Sequence, residues 1–165
     1  MNVEDIKQLM DGFDPAALLP DLTTVAGKME LACRIAVLMG PILLLILGLI
    51  YFFLTPKEAN HRFGFRCYYG MGSVEAWRFT QKLAGLLWSF LGLVLSIVML
   101  LSTIGFRKLT IVDQVWRSVK CLGWEAGLIF AAFLFIHIVV AMSFDKDGCR
   151  RPNAPKWNLD FKFKK

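Results

Sequence analysis

The run IAVLMGPILLLILGLIYFFL, residues 35–54, contains no charged side chain. A helix that crosses a bilayer needs roughly 20 apolar residues, because the hydrocarbon core is about 30 Å thick. Two further runs of this kind follow at residues 83–106 and 126–144, the second of them interrupted by His137. None of the three runs has the polar face that a helix of a soluble bundle requires. The sequence therefore predicts an all-α, polytopic membrane protein with three transmembrane helices.

The composition favours the same class of protein, with 56% hydrophobic residues and a mean hydropathy of +0.54. The cysteines lie far apart, in no CxxC pair and beside no histidine at the spacing of metal ligands. No nucleophile elbow, HExxH, phosphate loop or dinucleotide fingerprint occurs. We therefore expect no enzyme, no catalytic residue, no metal, no cofactor and no direct contact with nucleic acid.

An acidic segment, residues 1–30, precedes the first span. Asn2 can cap a short helix whose first turn holds Glu4 and Asp5, acids that suit a helix amino terminus. Its apolar residues share one face, which predicts a short amphipathic amino-terminal helix. The segment carries six acids and no basic-then-apolar signal pattern, so we expect the first span to remain as an uncleaved anchor.

The basic residues are divided unevenly between the two sides of the predicted domain, residues 31–144. Seven Lys and Arg fall on the side of the amino terminus and the second connection. The other twelve fall on the side of the first connection and the basic, aromatic tail, residues 145–165. Because Lys and Arg are enriched in cytoplasmic loops, we expect the amino terminus outside and the carboxyl terminus in the cytoplasm.

Small residues recur at helical spacing on one face of each span. They are Ala32, Ala36 and Gly40 in the first, Gly85, Ser89, Gly92, Ser96 and Thr103 in the second, and Gly123, Gly127 and Ala131 in the third. In lipid, helices associate through close fit, so we interpret these residues as packing positions. A polar pathway lined by the hydroxyls is the alternative, although such hydroxyls mostly bond to their own helix. Pro41 is expected to bend the first span.

Two ionisable side chains, Glu125 and His137, lie at or near membrane depth. Charge inside a membrane is costly and suggests a function. The two residues are about 120° apart around a helix and about 18 Å apart along it, so they cannot form one site on that helix. We expect Glu125 near the helix amino terminus, where the helix dipole favours a carboxylate, and a neutral His137 bonded to a neighbour.

The connection PKEANHRFGFRCYYGMGSVEAWRFTQKLAG, residues 56–85, combines three arginines with six aromatic residues. This composition is typical of a membrane interface, where rings settle at headgroup depth and guanidinium groups bind phosphates or carboxylates. Ser73 can cap a helix that begins at Val74 and holds Glu75 in its first turn. The segment could hold a lipid headgroup, bind a partner or only fix the bundle in the membrane.

The same segment resembles the SdpI family of small bacterial membrane proteins. The resemblance covers roughly residues 45–140 and rests on Asn60, Phe63, Gly64, Phe65, Arg66, Ser73, Glu75, Ala76, Trp77, Ala84 and Gly85. The family commonly has threonine after the arginine, where this chain has Cys67, and its name-giving member has additional membrane segments upstream. The resemblance implies protection of a producing cell from a secreted, membrane-active peptide toxin, with a cytoplasmic regulator held at the membrane.

Our leading hypothesis is a multi-pass immunity or signalling protein of the bacterial cytoplasmic membrane. Its expected partners are the lipid bilayer, a hydrophobic peptide toxin and a cytoplasmic regulator. The motif residues Asn60 to Trp77 would bind the partner or lipid. One alternative is a structural or accessory subunit that associates through its glycine faces, with a second copy or a transporter. Another is a small transporter or ion pathway that uses Glu125, His137 and the hydroxyl face.

Overall fold

The computed structural model describes residues 22–54, 64–152 and 154. Within these ranges three long helices form the fold: α1, Leu22–Phe53; α2, Val74–Ile104; and α3, Ile111–Ser143. Short 3-10 helices occupy Tyr69–Met71 and Gly105–Lys108. Each long helix is long and apolar enough to cross a membrane, which confirms the all-α class with three spans. The predicted amino-terminal helix and nearly all of the tail after residue 152 lie outside the described residues.

The helix starts follow capping chemistry rather than hydropathy. Ser73 caps α2 as predicted, and its Oγ accepts a hydrogen bond from the Ala76 N–H at 3.1 Å. Thr110 caps α3 in the same way, accepting from the Asp113 N–H at 3.3 Å. The third helix therefore begins well before residue 126, and the prediction that Glu125 lies near its amino terminus is wrong.

α1 and α2 pack with their backbones in close approach. A Cβ on Gly92 would lie 2.5 Å from the Leu45 nitrogen, and one on Gly85 would lie 2.7 Å from the Phe52 nitrogen. Ser89 lies between these two glycines and faces Gly48 across the same contact. Small residues are required here because no side chain fits between the two helices.

The face of α3 that packs against the other helices is not the face that carries Gly123 and Gly127. Its buried residues form an inward stripe: Gln114, Ser118, Glu125, Ile136, Val139, Val140 and Ser143. Gly123 and Gly127 lie outside that stripe, and a Cβ on either would meet nothing within 4 Å among the described residues. These two glycines therefore do not pack within the bundle of one chain, and their use as packing positions toward another helix stays a prediction.

We predict that Gly92→Ala destabilises the protein, because overpacking a close contact typically costs about 1–3 kcal/mol. The Leu45 backbone that a new Cβ would meet belongs to a helix and cannot move aside cheaply. Thermal unfolding in detergent measures the effect as a lower Tm. Gly27→Ala is the matched control, since nothing lies within 4 Å of that position. An equal or higher Tm for Gly92→Ala would contradict the packing described.

Candidate functional site

The segment between α1 and α2 turns back into the bundle. We call residues 64–73 the motif turn. It opens at Gly64, whose φ of +118° lies in the region that favours glycine. A Cβ there would lie 2.7 Å from ring atom Cη2 of Trp77, a side chain with 0% exposure. The backbone of the turn thus lies directly on the Trp77 ring.

Gln81, in the second turn of α2, holds the backbone of the motif turn at Phe65. The Phe65 N–H donates to Gln81 Oε1 at 2.8 Å, and Gln81 Nε2 donates to the Phe65 carbonyl at 2.6 Å. Gln81 is only 2% exposed. Backbone groups inside a membrane protein must find internal partners, and this one side chain supplies both.

The Phe65 ring fills the space between α2 and α3. Its centroid lies 5.4 Å from that of Trp88, 5.5 Å from Phe133 and 5.4 Å from His137. His137 Nδ1 lies 3.0 Å from the Phe133 carbonyl of its own helix. His137 is therefore part of the aromatic packing around the motif turn.

Cys67 lies in a buried polar contact on the other side of the turn. Its Sγ is 3.9 Å from Thr80 Oγ1, and the Gly70 N–H donates to the Cys67 carbonyl at 3.1 Å. A Cβ on Gly70 would meet Thr80 Oγ1 at 2.5 Å, so glycine is required there. Burial raises the pKa of the Cys67 thiol above its ordinary value, and hydrogen bonding at Gly70 and Thr80 offsets this only in part. The thiol is held neutral and sheltered.

The chain after α3 closes over the end of the motif turn, and we call residues 144–151 the closing segment. Ser73 Oγ donates to the Gly148 carbonyl at 2.7 Å while it also caps α2. Gly148, with φ +74°, packs so closely on Gly72 that neither position has room for a side chain. Glu75 reaches Arg150 at 3.9 Å. Contacts between residues that are far apart in sequence therefore hold both ends of the turn in place.

The structure distributes the predicted motif residues over different environments. The packing and hydrogen bonds of the motif turn involve Gly64, Phe65, Ser73 and Trp77. Arg66 and Glu75 are exposed. Asn60 and Phe63 lie outside the described residues. The expectation that the aromatic residues present a binding surface is therefore wrong for Phe65 and Trp77, which are buried.

Sequence reasoning missed two residues that hold this arrangement, Gln81 and Gly148. A glutamine beside a long apolar run signals a buried amide that needs partners. Gly148 carries no comparable signal, because its partner Gly72 is distant in sequence.

The exposed surface at this end of the bundle is cationic. Exposed side chains around the motif turn include Arg66, Tyr68, Arg78, Arg150 and Arg151. Tyr68 is 72% exposed and its ring packs edge-on against Tyr69 at 5.3 Å. A surface of this composition can bind carboxylates or phosphates.

Glu125 lies in a separate place, facing α1. A Cβ on Gly40 would lie 2.9 Å from Glu125 Oε2, and Oε1 has no hydrogen-bond partner among the described residues. The polar groups of the proposed ion pathway are not brought together. His137 packs on the motif turn, and the hydroxyls of Ser96 and Thr103 donate to carbonyls of their own helix. Within the described part of the chain, no group of three or more His, Cys, Asp or Glu could hold a metal ion.

The comparison with protein families gives one match. The model of the SdpI/YfhL protein family matches residues 57–144. The matched range contains the whole motif turn, α2 and α3, and it ends at Phe144, where the closing segment begins. Neither a curated protein nor a solved structure matches the chain.

We predict that Gln81→Leu frees the motif turn while leaving the helices in place. The substitution leaves the Phe65 N–H and carbonyl unpaired, and each unpaired buried group costs about 1–3 kcal/mol. Hydrogen–deuterium exchange in lipid nanodiscs should show the Phe65 amide protected in the native protein and exchanging quickly in the variant. Ser96→Ala, which removes only a bond within its own helix, is the control. Equal protection in all three proteins would contradict the role of Gln81.

Proposed function

The chain is a membrane protein of the SdpI/YfhL family, and on that premise we propose that it is an immunity and signalling protein of the bacterial cytoplasmic membrane. It protects the cell from a membrane-active peptide toxin and binds a cytoplasmic regulator. The observation that carries the proposal is the closed motif turn, which fixes a cationic surface on the end of the family-matched unit. Protection requires both parts: the transmembrane faces bind the toxin, and this surface binds the regulator.

The cationic surface is the proposed site for the regulator. Arg66 is an exposed residue of the motif turn, and Arg78 is an exposed residue in the second turn of α2. Arg150 and Arg151 belong to the closing segment. The backbone positions of these arginines are set by buried contacts, so little backbone freedom has to be lost when a partner binds. We propose that this end faces the cytoplasm, as the distribution of Lys and Arg favours, and that the partner presents acidic groups.

A groove on the lipid side of α1 and α2 is the proposed site for the toxin. It is lined by Leu45, Leu49, Phe52, Phe53, Leu86, Ser89, Phe90 and Leu93. Ser89 Oγ is buried without a hydrogen-bond partner among the described residues. A hydrophobic peptide helix would cover the apolar lining, while Ser89 Oγ stays buried against Gly48 between the two helices.

We predict that Arg66→Glu removes most of the protection without lowering the amount of protein in the membrane, because Arg66 is exposed and its reversal repels an acidic partner. Survival is measured in cells that express the protein and are challenged with a panel of membrane-permeabilising bacterial peptides. Lys108→Glu, an exposed reversal at the opposite end of α2, is the matched control. Trp77→Ala should instead lower the abundance itself, since Trp77 is buried. Full protection by Arg66→Glu would contradict the proposal.

A second candidate function, an accessory subunit that self-associates, is favoured by the open face of α3. Gly123 and Gly127 are one turn apart and meet nothing within 4 Å among the described residues. Trp124 and Phe130 flank them and are exposed. Small residues beside large apolar ones allow another helix to approach closely. A homo-oligomer through α3 is thus the specific form of this candidate.

We predict that Gly127→Leu abolishes self-association, because a leucine there would hold the two helices apart. Chemical cross-linking in native membranes and light scattering in detergent measure the oligomeric state. Ala126→Leu is the matched control, since Ala126 is exposed on a neighbouring part of the helix surface. A wild-type monomer, or an unchanged oligomer in Gly127→Leu, would rule this candidate out.

A further inference from the structure

The carboxyl group of Glu125 is buried in the middle of the bundle, where α3 packs against the Gly40–Pro41 step of α1. Its side chain is 3% exposed, with Oε2 close to Gly40 and Oε1 without a hydrogen-bond partner among the described residues. The mechanism proposed for the motif end does not use this group. Its position therefore needs a separate explanation.

The surroundings of Glu125 are apolar. An apolar cluster fills the same level of the bundle, made of Val37 and Leu44 from α1, Leu95 and Met99 from α2, and Cys121 and Ile129 from α3. Cys121 and Ile129 lie one turn before and one turn after Glu125. An ionised carboxylate is expensive in such a place, whereas a neutral carboxylic acid is not.

The charged groups that face this level are few and distant along the helices. α1 carries none between Arg34 and residue 54, and α2 carries none between Lys82 and Arg107. On α3 itself, Cys121 is the titratable neighbour one turn before Glu125, with Arg117 and Lys120 further toward the helix start and His137 three turns beyond. Glu30 and Arg34 pair with each other at 2.6 Å near the start of α1. No cation within the described helices is placed to neutralise the carboxylate.

Pro41 leaves an unpaired carbonyl on α1 near Glu125. A proline has no N–H, so the carbonyl of Val37 lacks its helical donor. Val37 and Pro41 are both fully buried, and helix carbonyls point toward the carboxyl end, which brings this acceptor to the level of Gly40. A protonated carboxyl group is a hydrogen-bond donor from which such a carbonyl can accept, whereas an ionised carboxylate is not a donor.

Two further buried polar atoms lie nearer the starts of α1 and α3. Gln114 Oε1 and Arg34 Nε are buried and have no hydrogen-bond partner among the described residues. Gln114 and Ser118 lie on the same inward stripe as Glu125, and Arg34 precedes Gly40 on α1. Buried groups of this kind are commonly satisfied by water.

We propose that Glu125 is a proton-binding site that exchanges its proton with water entering between the starts of α1 and α3. The neutral acid keeps the contact between α3 and α1 closed to water. When Glu125 loses its proton, further water enters this contact and weakens it. The ligand is a proton rather than a metal ion, because a single carboxylate falls well short of the six to eight oxygen ligands that Ca²⁺ takes. The site is thus a pH-sensitive contact in the half of the bundle opposite the motif turn.

Infrared difference spectroscopy of the full chain in lipid nanodiscs tests the proposal. Subtraction of the Glu125→Gln spectrum should leave the carbonyl band of one protonated carboxylic acid, which fades as the pH is raised and shifts in D₂O. The variant keeps the size and shape of the side chain. Absence of the band at every pH, or a band that neither fades nor shifts, would overturn the proposal.

A second measurement labels the native Glu125 carboxyl group directly. A hydrophobic carbodiimide reacts with protonated carboxyl groups, and peptide mass mapping locates the product. Glu125 should be modified at low pH and progressively less as the pH rises, and Gly40→Ala, which crowds Oε2, should change the yield while Gly27→Ala does not. An unmodified Glu125 at low pH, or equal yields for the two alanine variants and the native chain, would contradict the site.

Discussion

The two hydrogen bonds between the Gln81 side chain and the Phe65 backbone are the constraint on which the motif end depends. A chain segment without helical bonds can lie inside a membrane bundle only if its polar groups are satisfied there. Gln81 satisfies Phe65, so the Phe65 ring can fill the space between α2 and α3. The contact of Gly64 with Trp77 and the closure by Gly148 then fix the two ends of the turn.

The motif turn and the opposite end of the bundle differ in how completely their polar groups are paired, although Trp88 Nε1 beside Phe65 and Ser89 Oγ in α2 also lack a hydrogen-bond partner among the described residues. Near the motif turn, amide, hydroxyl and thiol groups contact one another, and the exposed arginines sit on a rigid support. Toward the opposite end, Glu125, Gln114 and Arg34 each keep a buried polar atom without a partner among the described residues. We connect the first half with partner recognition and the second with proton exchange. α1 joins the halves through its backbone contact with α2.

The sequence predicts those features that depend on local chemistry. The three spans follow from their apolar length and the α2 start follows from Ser73, because each signal is contained in a few neighbouring residues. The start of α3 differs from the start of the predicted run, since a scan for uncharged runs stops at Glu125 and overlooks the cap at Thr110. The spacing of glycines predicts that they share one face of a helix, but it does not show which helix packs against that face. Gly92 packs on α1, whereas Gly127 contacts no other helix among the described residues. The burial of the motif turn could not be predicted, because it depends on Gln81, which lies sixteen residues after Phe65. In addition, arginines and aromatic residues occur both at a membrane interface and in a buried turn, so the composition does not distinguish the two.

The burial of the motif turn is the central claim, and the native cysteines test it most directly. Cys67 is buried in the turn, whereas Cys149 is exposed in the closing segment. Intact membranes treated with N-ethylmaleimide and analysed by peptide mass mapping should show rapid modification of Cys149 and none of Cys67 until the protein is unfolded. Modification of Cys67 in the folded protein at the rate of Cys149 would contradict the account.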